Sequence, residues 1–135
     1  MAVDASLAGR TFPPTPAYDV TEQAVADFAA ATGTPYRPGD PAPATFPIVV
    51  AFAAMQELMG DPEVGIELHH VVHGQQKFVY RRPVAVGDRL TATLTVGSLR
   101  QIAGTDIIGT SSAITDASGE LVCTADATLV HKAGG

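Results

Sequence analysis

The run Val71-Val72-His73-Gly74-Gln75-Gln76-Lys77-Phe78-Val79-Tyr80-Arg81-Arg82-Pro83 holds the most informative polar group of this chain. His73 stands near the start of a strand-like stretch, followed directly by Gly74 and Gln75. An imidazole there can line a channel, hold a loop by hydrogen bonding, or satisfy the backbone at a strand start. Proton transfer asks for more, because a catalytic histidine needs a carboxylate or a nucleophile in reach. Gly74 permits a bulge or the close approach of another backbone. His69 and His70 fall in a loop just upstream and read as solvated. The three histidines make a poor metal site, since adjacent residues on extended chain point to opposite faces and no spaced acid or thiol accompanies them. Asp40 is the only carboxylate of a proline-rich stretch, and reads as a displaced general base or as a turn residue before Pro41. Cys123 has no basic neighbour and alternates with apolar residues, so it reads as a small buried hydrophobe.

These groups need elements to hold them. Thr21 reads as an N-cap, with Glu22 in the first turn where negative charge suits the helix dipole. Val20 and Val25 occupy the positions of a hydrophobic staple, and Gly33 is a terminator, giving a helix over residues 22–32. Residues 1–20, with Pro13, Pro14 and Pro16, read as an extended lead-in. Pro35, Pro38, Pro41 and Pro43 break residues 33–44 into a loop. Thr45 caps a second helix with Pro47 tolerated in its first turn. Ile48 to Met55 is apolar on every face, which predicts a helix buried on every face, ending at Gly60. Its entrance offers the free N–H groups of Thr45 and Phe46 at a positive dipole end.

The remainder reads as strands. Leu90, Ala92, Leu94 and Val96 alternate with Thr91, Thr93 and Thr95. Gly104 marks a hairpin within residues 101–106, and residues 116–119 form the next turn. Leu121, Cys123, Ala125, Ala127 and Leu129 alternate with Val122, Thr124, Asp126, Thr128 and Val130. With residues 71–83 this gives a four- or five-stranded antiparallel sheet curled round one long buried helix, an α+β hot-dog architecture. A buried helix laid on a strand, with a polar His-Gly at the mouth, is a way for a small domain to hold an acyl thioester.

Size and charge narrow the classes. The chain has 135 residues, the size of one domain spanning 1–135. A net charge of −6, with no basic cluster larger than Arg81-Arg82, argues against nucleic-acid binding. The N-terminus shows no signal-peptide pattern, and the longest apolar run, Phe46 to Met55, is too short for a bilayer. A single cysteine fits a reducing, cytoplasmic setting and builds no disulfide or zinc framework.

Val72-His73-Gly74-Gln75-Gln76, Tyr80-Arg81-Arg82-Pro83 and Gly87-Asp88-Arg89-Leu90 together resemble the N-terminal FAS1-like dehydratase domain of the MaoC superfamily. Leu7-Ala8-Gly9-Arg10, Ala44-Thr45-Phe46-Pro47 and Gly104-Thr105-Asp106 fit the same family. Its members include the N-terminal half of enoyl-CoA hydratase 2 and the substrate-binding subunit of heterodimeric (3R)-hydroxyacyl-carrier-protein dehydratases. The resemblance implies reversible addition of water across the 2,3 bond of an acyl thioester. Active members carry an Asp and a His in a loop of the form Gly-Asp-x-Asn-Pro-x-His before the hot-dog helix. A carboxylate and an imidazole held together there position a water and shuttle its proton, while a backbone N–H polarises the thioester oxygen. In this chain Thr34 stands where the Asp is expected and Tyr36 where the His is expected, and the loop to Thr45 is short.

The expectation is therefore a substrate-binding, non-catalytic subunit of an (R)-specific 3-hydroxyacyl-thioester dehydratase or enoyl-thioester hydratase. Thr45, Phe46, Pro47, His73, Gly74 and Gln75 are expected to border the substrate channel. No catalytic residue is assigned, with Asp40 the remaining candidate, and no cofactor is expected beyond CoA or acyl carrier protein bearing the substrate. The partner is expected to be a second copy or a catalytic MaoC-type chain, since pairing two sheets edge to edge removes an exposed edge. Two rivals stay open: a non-enzymatic homodimeric acyl-thioester-binding protein, and an active hot-dog thioesterase or hydratase using Asp40 or Glu57 as base.

Overall fold

The computed structural model describes residues 5–64, 66 and 70–132. Five strands and two helices follow in chain order: β1 Tyr18–Asp19, α1 Glu22–Thr32, α2 Ile48–Met59, β2 Val71–Tyr80, β3 Arg89–Ile102, β4 Thr105–Thr115 and β5 Leu121–Lys132. The sheet runs β1-β3-β4-β5-β2, and every pairing is antiparallel. It curls around α2, which packs mainly on β3 and next on β4. This is the hot-dog arrangement expected from the sequence.

Alternation builds the core. Leu90, Ala92, Leu94 and Val96 of β3 are all fully buried, while the threonines between them face outward. From β4 come Ile108, Thr110, Ser112 and Ile114, and from β5 Cys123, Ala125, Ala127 and Leu129. Many of these are small. Opposite them α2 presents Ala51 and Ala54, so the helix backbone approaches the sheet closely and Met55 and Leu58 seal the layer. The alternation in β5 breaks once. Ile114 pairs with Cys123 but Thr115 pairs with Leu121, so Val122 is the extra residue of a bulge and is buried alongside Cys123.

Local signals at α1 match its observed ends. Thr21 Oγ1 accepts the Ala24 amide at 3.1 Å, and Gly33, at φ 69°, takes the left-handed cap conformation. The hairpin between β3 and β4 turns through Ala103 (φ 49°) and Gly104 (φ 80°). Two successive positive φ angles define the mirror-image turn that matches strand twist.

Three expectations are corrected. The lead-in is more than an extended strap: it begins with a short 3-10 turn at Ala5–Leu7 and then ladders onto β3. Gly9 N–H bonds Val96 O at 2.7 Å, Phe12 N–H bonds Leu94 O at 2.9 Å and Thr15 N–H bonds Ala92 O at 2.9 Å. Prolines at 13, 14 and 16 are tolerated there because an edge needs only alternate donors. Thr45 does not cap α2. Its side chain is exposed, and the residue preceding the helix is Pro47, which makes no side-chain cap bond. Nor is α2 buried all round. Phe52 is 46% exposed, Gln56 and Glu57 lie in solvent, and Ile48, Val49, Ala53 and Met59 are only partly covered. One sheet wraps one side of a helix, and a helix apolar on both sides leaves a flank unclaimed.

Candidate functional site

The mouth of α2 is closed by its own backbone. Phe46 N–H donates to Pro43 O at 2.9 Å, Ile48 N–H to Thr45 O at 3.1 Å and Val49 N–H to Phe46 O at 3.1 Å. Pro47 has no N–H to offer. The expected free donor at Phe46 is thus consumed by a tight turn. Phe46 is fully buried, its ring 5.3 Å from Phe28 edge-on and 6.3 Å from Tyr18. Pro47 is buried too, so of the three mouth residues only Thr45 reaches solvent.

The proline-rich loop is tied over this mouth by tyrosines. Tyr36 Oη donates to Glu22 Oε1 at 2.8 Å. Tyr80 Oη donates to Ala44 O, and Ala42 N–H bonds Val84 O at 2.8 Å. Burial, then the Glu22 carboxylate, pushes the Tyr36 hydroxyl up to about 12. Burial, then the Cys123 thiol, pushes Tyr80 up to about 12 as well. Both phenols therefore stay protonated donors near neutral pH, not bases. Asp40 serves its own turn: its Oδ2 accepts the Arg37 amide at 3.0 Å and its N–H donates to Arg37 O at 3.0 Å. Burial pushes the Cys123 thiol up to about 11, which keeps it out of thiolate chemistry.

His73, Gly74 and Gln75 lie at the opposite end of α2. Register slips between His73 and Gln75 against β5, so Gly74 is the bulged residue; it is exposed, and a side chain there would meet Thr128 O at 3.6 Å and Val130 at 3.7 Å on β5. His73 Nε2 and Gln76 Oε1 are 3.0 Å apart. Beside His73 opens a cleft of about 150 Å³ between α2 and β2, lined by Phe52, Met55, Met59, Val71 and Leu129. Tyr80, at the far end of β2, touches the mouth of α2, so the two candidate groups are separated by nearly the length of the strand, on the order of 20 Å. Within one chain the two groups thus lie at opposite ends of α2. His70 is only partly exposed, with a buried Nδ1, contrary to the solvated reading. His69 lies outside the described residues. Glu57 lies in solvent on α2, beside a groove of about 500 Å³ that it shares with Arg10 and Asp61.

One polar cluster was not singled out in the sequence. His131 Nδ1 bonds Asp106 Oδ2 at 2.9 Å, and Gln101 Nε2 bonds Asp106 Oδ1 at 2.9 Å. His131 is 0% and Asp106 1% exposed. The signal was present: both fall on the inward parity of their strands, and an acid and an imidazole on core positions mark a buried pair. Their burial fits them to brace the end of the sheet rather than to meet a substrate. Among the described residues no group of His, Cys, Asp or Glu is arranged to hold a metal ion, and no helix is long and apolar enough to cross a membrane.

A curled five-stranded antiparallel sheet around α2, with a second helix and a tied loop at its mouth, is the architecture of MaoC-like hot-dog dehydratases. The profile of the family described as "FAS1-like, dehydratase domain region" matches residues 6–125, and the chain belongs to that family. A UPF0336 protein of Streptomyces griseus is 40% identical over 146 residues, covering 98% of this chain and 97% of the relative. A UPF0336 protein of Leifsonia xyli is 42% identical over 146 residues, covering 96% of each. Among solved structures, the C-terminally truncated HadBC (3R-hydroxyacyl-ACP dehydratase) complex of Mycobacterium tuberculosis superposes with a TM-score of 0.81 at 26% identity, covering 96% of this chain and 99% of that one. HtdX of the same organism shares the fold at a TM-score of 0.77 and 20% identity, over 91% of this chain and 51% of its own.

Proposed function

We propose that this chain is the substrate-binding subunit of a two-chain (R)-specific 3-hydroxyacyl-thioester dehydratase, whose acid–base pair is supplied by another chain. One observation carries the reading. By the resemblance Thr34 and Tyr36 stand where the family's acid and base are expected; in the structure the loop's carboxylate, Asp40, is spent on a turn and Tyr36 is held by Glu22. The apolar flank of α2 and the cleft beside it are nevertheless kept. A site that grips an acyl chain without a proton shuttle lowers the barrier only when the shuttle arrives from elsewhere.

Geometry supports the pairing. Among the described residues β2 has β5 on one side and no strand on the other. Its start lies by the C-terminal half of α2 and its end by the mouth. Antiparallel docking of a second hot-dog strand on β2 also makes the two helices antiparallel. The partner's helix mouth then comes to lie near Phe52, Met59 and His73 of this chain. On this reading a thioester arm would span the two chains, in keeping with expected channel residues that lie at both ends of α2. The HadBC neighbour, a complex of two chains by its name, accords with this arrangement.

The test is co-expression with a MaoC-type catalytic chain. Co-purification and hydration of an enoyl-CoA only by the mixture is the expected result. Sustained hydration by this chain alone overturns the reading.

A further inference from the structure

The bulge in β2 brings two side chains together that a regular strand would hold apart. Residues three apart on extended chain face opposite sides. The extra residue, Gly74, restores one face to His73 and Gln76, and their Nε2 and Oε1 atoms lie 3.0 Å apart. Gln76 has no choice of orientation. Its Nε2 donates to Asp126 O at 3.1 Å and to Lys77 O at 3.4 Å. Turning the amide over would set its oxygen against two carbonyls, so Oε1 is the atom that faces His73. An amide oxygen only accepts. His73 Nε2 therefore carries the hydrogen of the neutral ring, and Nδ1 keeps its lone pair. Among the described residues no donor meets that nitrogen, and His73 is exposed on a strand with no neighbour on its other side. Val71, Phe78 and Tyr80, on the same face, pack against the core, and the Tyr80 hydroxyl is committed to Ala44 O.

We infer that His73 Nδ1 is a docking contact, which accepts a hydrogen bond from an N–H or O–H donor of the catalytic chain, and that Gln76 is the positioning residue that keeps this nitrogen bare. The contact rests on the two-chain reading, in which the partner's helix mouth comes to lie near His73. A helix mouth is rich in donors, because the first N–H groups of a helix have no partner within it. Its positive dipole end suits a neutral acceptor and repels a cation. A histidine locked with its lone pair outward meets both conditions, whereas a lysine or arginine at the same place meets neither.

Nitrogen-15 NMR of the full chain reads the tautomer, and calorimetric titration with a MaoC-type catalytic chain reads the contact. The neutral ring of His73 should carry its hydrogen at Nε2 alone, and Gln76→Met should give a mixture of the two forms. His73→Gln keeps a donor near the place of Nε2 but loses Nδ1, and should weaken association about ten-fold. His73→Asn keeps an acceptor where Nδ1 stood, and should stay within about three-fold of the unaltered chain. His73 is exposed, so both variants keep the fold. A ring protonated at Nδ1 in the unaltered chain overturns the inference, and so does association that His73→Gln leaves unchanged. Both of those outcomes leave the two-chain reading standing. A catalytic chain that does not bind this one at all overturns that reading and the contact with it.

Discussion

Replacing Asp106 with alanine probes the buried pair directly. Asp106 accepts His131 Nδ1–H at 2.9 Å and Gln101 Nε2–H at 2.9 Å, and it is 1% exposed. Gln101 is exposed, so water can serve its amide once the carboxylate is gone. His131, with no exposed surface, loses that acceptor where water does not reach. Removing the acceptor of a buried donor costs roughly 1–3 kcal/mol, more when the lost bond is charge-assisted, and deleting the side chain adds a small cavity. The expected loss is about 3 kcal/mol. Set against a typical domain stability of about 5–15 kcal/mol, that is a large fraction. A domain of this length should melt about 10 °C lower. Urea unfolding measured by circular dichroism gives the free energy, and a double-mutant cycle with His131→Leu isolates the pair. The coupling should exceed about 1 kcal/mol, since the two residues touch. A loss below about 0.5 kcal/mol for Asp106→Ala, with no coupling, would refute the claim that this pair braces the sheet.

Other outcomes follow from the turns and ties. Ala103→Asn should raise stability by about 1 kcal/mol in thermal melts, because alanine is disfavoured at φ 49° and asparagine tolerates it. Asp116 is held down to about 2, from an ordinary 3.8, by the Ser118 hydroxyl first, then Arg82 and the amides of Glu120 and Ser118. Its folded value lies below its unfolded one, so its contribution is complete above about pH 4 and fades as pH falls through about 2. Asp116→Asn should flatten acid unfolding in that window, read by fluorescence or circular dichroism against pH. Tyr80→Phe removes the hydroxyl that holds Ala44 O, at a cost of about 1 kcal/mol. Hydrogen exchange at the Ala42 amide should quicken in that variant, while the β3 amides stay protected.

Much of the fold was legible because it is written in short-range rules. Thr21 and Gly33 fix both ends of α1, and the threonine–aliphatic alternation of β3 fixes its inner face. What was not legible depends on partners far along the chain. Whether α2 is covered on one side or two is decided by how far a five-stranded sheet can wrap, which no window of residues reports. The mouth of α2 escaped for a similar reason. Thr45 has the chemistry of a cap, but the two prolines around it turn the chain so tightly that the backbone satisfies itself first. At the site, His73 and Gly74 were picked out by type, and their bulge was foreseen. Their separation from Thr45–Pro47 was not, because sequence spacing says nothing about which end of a helix a strand starts from. His131 has no local signal in the sequence, because the partner that holds it lies 25 positions away on another strand.

The bare side of β2 carries a further implication. A ladder ten residues long, with Val72 and Val79 bared on its outward flank, has no chemical stop at which growth must end. Only the kink at Gly74 and the charge of Lys77 interrupt it. A cell making more of this polypeptide than of whatever covers that margin would accumulate orphan copies prone to stacking into insoluble material. On the two-chain reading proposed above, balanced synthesis of the two chains then follows from a single row of amides and carbonyls.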